Sequence, residues 1–134
     1  MKSLILESTD FTPEVIFNPE NHIFIIAGVS MPENASGFYL QIIDWLGEYE
    51  EKIVDKNTGT DKILIKLNFK LTYCNSASAK FLLTIMEKLE TFMNSGFGVE
   101  INWFYDPGDQ LMLDDGKDLA DSISIPFNYH AIIN

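Results

Sequence analysis

The chain has 134 residues, 46% of them apolar and 13% aromatic, enough for one packed domain and too few for two. Twenty acidic residues against nine basic ones give a formal charge of −11, which argues against binding nucleic acid or anionic membrane, since both demand a basic patch. One cysteine, Cys74, excludes an internal disulfide framework and fits a reducing compartment.

In chain order, Leu4 to Ser8 and Glu14 to Phe17 read as short strands. Pro19-Glu20-Asn21 turns the second into Ile23 to Gly28, giving an antiparallel, β-rich opening. Ser30-Met31-Pro32-Glu33 has capping-box spacing, and Asn34 competes for the cap. The helix that follows carries Phe38, Ile42, Trp45, Leu46 and Tyr49 at helical spacing and ends before the polar loop Asp55 to Asp61. The next strand alternates, with Ile63, Ile65, Leu67, Phe69 and Leu71 on one face and Lys66, Asn68 and Lys70 on the other.

After the small polar cluster Asn75-Ser76-Ala77-Ser78 comes a second helix with an apolar face of Phe81, Leu82, Ile85, Leu89 and Phe92, closing near Asn94-Ser95-Gly96. Val99 to Tyr105 is a strand, Asp106 to Asp109 a break, and Leu111 to Ser122 an acidic helix. Ile123 to Ile133 holds a last strand interrupted by Pro126. The expected fold is a single α/β domain over residues 1–134, a mixed sheet with two to three helices packed against it. The apolar N-terminal run is too short for a signal peptide and no stretch has the length of a membrane span, so the expected location is cytoplasmic.

Few residues form a catalytic pattern. His22 and His130 have no ligand-spaced partner, no metal set emerges, and no cofactor is expected. Cys74 beside a strand end reads as a small hydrophobe more than as a nucleophile. The acidic run from Asp106 to Asp121 lacks the EF-hand spacing, and no phosphate-cradling glycine loop follows a strand. Phe38, Tyr39 and Trp45 could line a small-ligand pocket, although aromatics at this spacing usually build core. These features point away from an enzyme. The hydroxyls of Asn75-Ser76-Ala77-Ser78 stand out instead. They sit between a strand end and a helix start, where free amides and the helix dipole favour a phosphate.

That turn resembles the signature of the STAS domains, the anti-sigma-factor antagonists, whose Asp-Ser-[Ser/Thr]-Gly turn is phosphorylated on its first hydroxyl residue. The chain is more similar to the SiaC family of regulatory phosphoproteins. It carries that family's Pro-Glu-Asn helix start (Pro32-Glu33-Asn34), an aromatic followed by Asp-Trp (Phe38-Tyr39, Asp44-Trp45), and Tyr-x-Asn-[Thr/Ser]-[Ser/Ala]-Ser (Tyr73 to Ser78). A looser Trp-x-Tyr-Asp is Trp103 to Asp106. The resemblance implies a STAS-like protein without catalysis of its own. By the same resemblance a kinase is expected to phosphorylate it and a PP2C-type phosphatase to reverse this, and the unphosphorylated form is expected to bind and stimulate a diguanylate cyclase, raising cyclic di-GMP. Carried over by position, the phosphoacceptor is Ser76, with Ser78 as the rival. The partner-binding set is Pro32, Glu33, Asn34, Tyr73, Asn75, Ser76, Ser78 and Lys80. Asn75 stands where the STAS antagonists have Asp, and that departure weighs against the alternative, sequestration of an anti-sigma kinase.

Overall fold

In a computed structural model the described residues are 1–54 and 62–133. The polar loop expected at Asp55 to Asp61 therefore falls outside them. The chain order is β1 (Leu4–Leu6), β2 (Glu14–Asn18), β3 (Ile23–Ser30), α1 (Ala35–Ile53), β4 (Leu64–Cys74), α2 (Ser76–Asn94), β5 (Gly98–Tyr105), α3 (Gln110–Ala120) and β6 (Phe127–Ala131). The strands form one six-stranded sheet in sequence order. β2 runs antiparallel to its neighbours β1 and β3, and β3, β4, β5 and β6 are mutually parallel. A direct turn can join only antiparallel neighbours, so each parallel step is bridged by a longer connection, here one carrying a helix.

The alternation read from the sequence decides the layering. Ile65, Leu67, Phe69 and Leu71 of β4 are buried together with Val15 and Phe17 of β2, Phe24 and Ile26 of β3, and Val99, Ile101 and Trp103 of β5. The helices cover this face with Ile42, Trp45, Leu46 and Tyr49 from α1, Leu82, Ile85, Leu89 and Phe92 from α2, and Met112 from α3. Phe17 and Phe24 stack with ring centroids 4.5 Å apart, and Trp45 meets both edge-on, which suits the quadrupoles of the rings. Lys88 Nζ ties α2 to Glu50 Oε1 of α1 at 2.9 Å. Among the described residues the opposite face carries no helix. One register row there runs Ile5, Ile16, Ile25, Asn68, Asn102, Asn128, apolar over the antiparallel half and amide-rich over the parallel half. Asn102 sits at the centre of the polar part, donating to Asn68 Oδ1 at 3.0 Å and meeting His130 Nε2 at 2.9 Å.

Several boundaries differ from the sequence reading. β3 runs two residues beyond Gly28 because a bulge there, with Gly28 at φ +106°, lets pairing resume at Val29 and Ser30. β4 likewise extends past Leu71 to Cys74, paired with those two residues. The last strand begins only at Phe127. Ile123 to Pro126 lies outside it, because proline cannot donate to a ladder and so precedes the strand instead of interrupting it. α2 closes as expected, with Ser95 at its C-cap and Gly96 in the left-handed region at φ +103°.

Candidate switch site

Ser30 is not the helix cap that its spacing suggested. It is the last residue of β3, fully buried, and the N-cap of α1 is Asn34, whose side chain accepts from the Gly37 amide at 3.0 Å. The strand carries the chain past Ser30 in extended form, leaving the first free helix amides for Asn34 to meet. The Ser30 hydroxyl serves elsewhere. It lies 2.5 Å from Tyr39 Oη and donates to Ser78 Oγ at 2.8 Å, while Ser78 Oγ donates to the Ser30 carbonyl at 3.2 Å. Each hydroxyl has one proton, so the Tyr39 hydroxyl must donate to Ser30 Oγ. The chain of three hydroxyls is thereby satisfied, and all three residues are fully buried. Burial pushes the Tyr39 phenol up to about 12.

This network fixes the turn that follows β4. Asn75 N donates to the Ser30 carbonyl at 3.0 Å, anchoring the turn to the end of β3. Asn75 is the N-cap of α2, accepting from the Ser78 amide at 2.8 Å through its side chain and from the Ala79 amide at 3.0 Å through its carbonyl. Helix geometry gives the first two amides, those of Ser76 and Ala77, no acceptor within the helix. Ser76 is the first residue of α2 and is exposed. Its hydroxyl therefore stands at the positive end of a 19-residue helix, on the edge of the sheet where the parallel strands β3 and β4 end.

Of the residues expected at the site, Glu33, Asn34, Tyr73, Ser76 and Lys80 are exposed and Asn75 is partly so. Two are not available to a partner. Ser78 is fully buried in the hydroxyl network, which corrects its reading both as rival phosphoacceptor and as contact residue. It is the third residue of α2, so its side chain turns inward against Ser30 while Ser76 turns out. Pro32 is also buried, between the strand end and the cap. Cys74 is partly buried, and burial pushes its thiol up to about 12. Tyr39, Trp45 and Tyr49 of α1 are core and Phe38 is partly buried against it, with Tyr39 stacked on Phe81 at 5.6 Å and Trp45 Nε1 donating to the Lys2 carbonyl at 3.0 Å.

The sequence reading missed the far wall of the site. A cleft of about 220 Å³ is lined by Cys74, Asn75, Ser76 and Ala79 on one side and by Trp103, Asp115, Asp118 and Leu119 on the other. The acidic helix α3 thus lies beside the exposed serine. Its N-cap is Asp109, and Trp103 Nε1 donates to the Met112 carbonyl at 2.9 Å. The Trp103-Phe104-Tyr105-Asp106 segment was the available signal, because it sends the chain from β5 into α3 at this edge.

The family model described as SiaC family regulatory phosphoprotein matches residues 6–132. An uncharacterized protein of Pseudomonas aeruginosa is 25% identical over 131 residues, covering 98% of both chains. Among solved structures, apo-SiaC of P. aeruginosa superposes with a TM-score of 0.83 at 25% identity, over 98% of this chain and all of that one. SiaC in the structure of the diguanylate cyclase SiaD with its activator SiaC, also from P. aeruginosa, gives a TM-score of 0.83 at 24% identity over 96% and 99%. With the family model matching nearly its whole length, this chain belongs to the SiaC family of regulatory phosphoproteins.

Proposed function

We propose that this chain is a non-catalytic, cytoplasmic signalling protein whose unphosphorylated form docks on a diguanylate cyclase and stimulates it, raising cyclic di-GMP. A kinase and a PP2C-type phosphatase set its state at Ser76. One observation carries the assignment. Of the two hydroxyls in the turn, Ser76 is exposed at the helix start and Ser78 is locked inside. The activator role of SiaC toward SiaD supports the choice of partner. In the kinase step Ser76 Oγ forms a bond to the transferred phosphorus as the bond to the leaving nucleoside diphosphate breaks, and the hydroxyl proton passes to a base of the kinase. The product carries about −1.5 to −2 charges at neutral pH.

The helix N-terminus tolerates that charge, with a stabilising effect of about 0.3–1 kcal/mol. A docked partner does not. A dianion desolvated in an interface costs several kcal/mol, on the order of a thousandfold in affinity. The exposed part of the expected surface, Glu33, Asn34, Tyr73, Asn75, Ser76 and Lys80, is the part assigned to docking. Titrating the cyclase with wild type, Ser76→Ala and the chain phosphorylated on Ser76 tests this, with cyclic di-GMP formation as readout. Wild type and Ser76→Ala should bind and stimulate alike, and the phosphorylated chain should do neither. Equal binding by phosphorylated and unmodified protein would defeat the switch. Phosphate mapped elsewhere than Ser76 after kinase treatment would defeat the site. Capture of an anti-sigma kinase in place of the cyclase would favour the antagonist reading.

A further inference from the structure

The cleft beside Ser76 is chemically lopsided. One wall is the N-terminus of α2, where the Ser76 and Ala77 amides attract an anion. The other is α3, which brings Asp115 and Asp118 into the same 220 Å³ space. Among the described residues no lysine or arginine lines that space. Asp115 is already held above the usual carboxylate range, first by burial and then by the charges of Asp118, Asp109 and Asp114. The wall is under like-charge pressure before any phosphate arrives.

The anchoring of α3 is thin. Of its eleven residues only Met112 and Gly116 are buried. Trp103 holds both, donating from Nε1 to the Met112 carbonyl at 2.9 Å and lying flush against Gly116, where an added Cβ would come within 2.6 Å of the indole nitrogen. Leu119 adds a partly buried contact with the core, and a helix held at so few points yields to a modest new force.

We infer that a phosphoryl group on Ser76, sharing its cleft with Asp115 and Asp118, repels those carboxylates and loosens α3 from the sheet, so that α3 is a second element that responds to the switch. The inference rests on Ser76 as phosphoacceptor. Modification would then do more than place a charge in front of the partner. It would also reshape the neighbouring hollow that shares Cys74 and Asp115 with the cleft, where Leu111 and Tyr73 are 69% and 47% exposed.

The test is hydrogen exchange on the full chain with phosphoserine installed at position 76 during synthesis, compared with the unmodified chain. The same pair is then measured in the Asp115→Asn/Asp118→Asn background. Phosphoserine should speed exchange of the α3 amides, residues 110–120, by about tenfold, equivalent to ~1.4 kcal/mol. It should leave β3 and α1 unchanged. In the double variant the acceleration should fall below about twofold, because the repelled charges are gone. Unchanged α3 exchange on phosphorylation, or the same acceleration in both backgrounds, would overturn the coupling. Because the phosphate is installed without a kinase, this result is independent of where the kinase acts. Mapping the kinase product tests the assignment of Ser76 separately.

Discussion

Two serines two residues apart have opposite fates. Ser76 faces solvent at the helix start, while Ser78 closes a chain of buried hydroxyls from Tyr39 through Ser30. Among the described residues no buried side-chain nitrogen or oxygen lacks a hydrogen-bond partner, so each member of that chain has a definite job. Ser78→Ala leaves the Ser30 hydroxyl without its acceptor and should cost about 1–3 kcal/mol in urea unfolding. Tyr39→Phe removes a donor instead and should cost about 1 kcal/mol. Kinase treatment of Ser78→Ala should still phosphorylate Ser76, and loss of that modification in a folded variant would contradict the division of roles.

At the scale of elements, the same residue type starts both long helices. Asn34 caps α1 and Asn75 caps α2. The Asn75 cap holds the switch turn, since its side chain takes the Ser78 amide while its own amide reaches Ser30. Asn75→Ala should lower stability by about 1 kcal/mol in chemical denaturation. Asn75→Asp keeps an acceptor at the cap, and the charge that the helix dipole favours is opposed by Asp115 and Asp118 in the same cleft, so its stability should lie between those of Asn75→Ala and wild type. A loss for Asn75→Asp as large as for Asn75→Ala would show that the side-chain amide protons, and not the acceptor oxygen, matter at this position.

For the whole molecule, the alkaline limit of stability follows from burial. Burial raises Tyr39 from 10.0 to about 12 and Cys74 from 9.0 to about 12, and it raises Tyr49 in the same sense. In each case the folded state holds the proton more tightly than the unfolded chain. Their contribution is therefore complete below the unfolded values and is lost as pH rises toward the folded ones. Melting temperature should hold up to about pH 9 and fall steeply from about pH 10 to about pH 12, with the tyrosinate absorbance of the buried Tyr39 and Tyr49 appearing together with unfolding. Tyrosinate forming in full at pH 10 while the fold persists would show these phenols to be in water. Tyr39 belongs to the hydroxyl network and Tyr49 to the aromatic cluster of α1, where its hydroxyl lies 2.5 Å from His22 Nδ1. Alkaline unfolding should therefore begin in the layer between α1 and the sheet.

What the sequence determined by itself was local and periodic. Alternation in β4 placed Ile65, Leu67, Phe69 and Leu71 on the covered face, and the three-four repeat of Leu82, Ile85, Leu89 and Phe92 placed α2 above them. Those patterns are legible because one period belongs to strands and another to helices. The Asn75 turn, with its hydroxyls between a strand end and a helix start, was legible for the same local reason, and the SiaC-like residues around it named the family. The tertiary structure decided what depends on residues far apart in the chain. Ser30 looked like a cap because its spacing to Glu33 fits one, but a bulge at Gly28 and pairing with Cys74 drew it into the sheet. Ser78 looked like a rival to Ser76 until Ser30, 48 residues earlier, supplied its partner. The sequence showed α3 only as an acidic helix without calcium-loop spacing, and the parallel order of β4, β5 and β6 brings Asp115 and Asp118 to the cleft of Ser76. Spacing along a chain encodes the direction of a side chain, whereas its neighbours are set by how the elements pack.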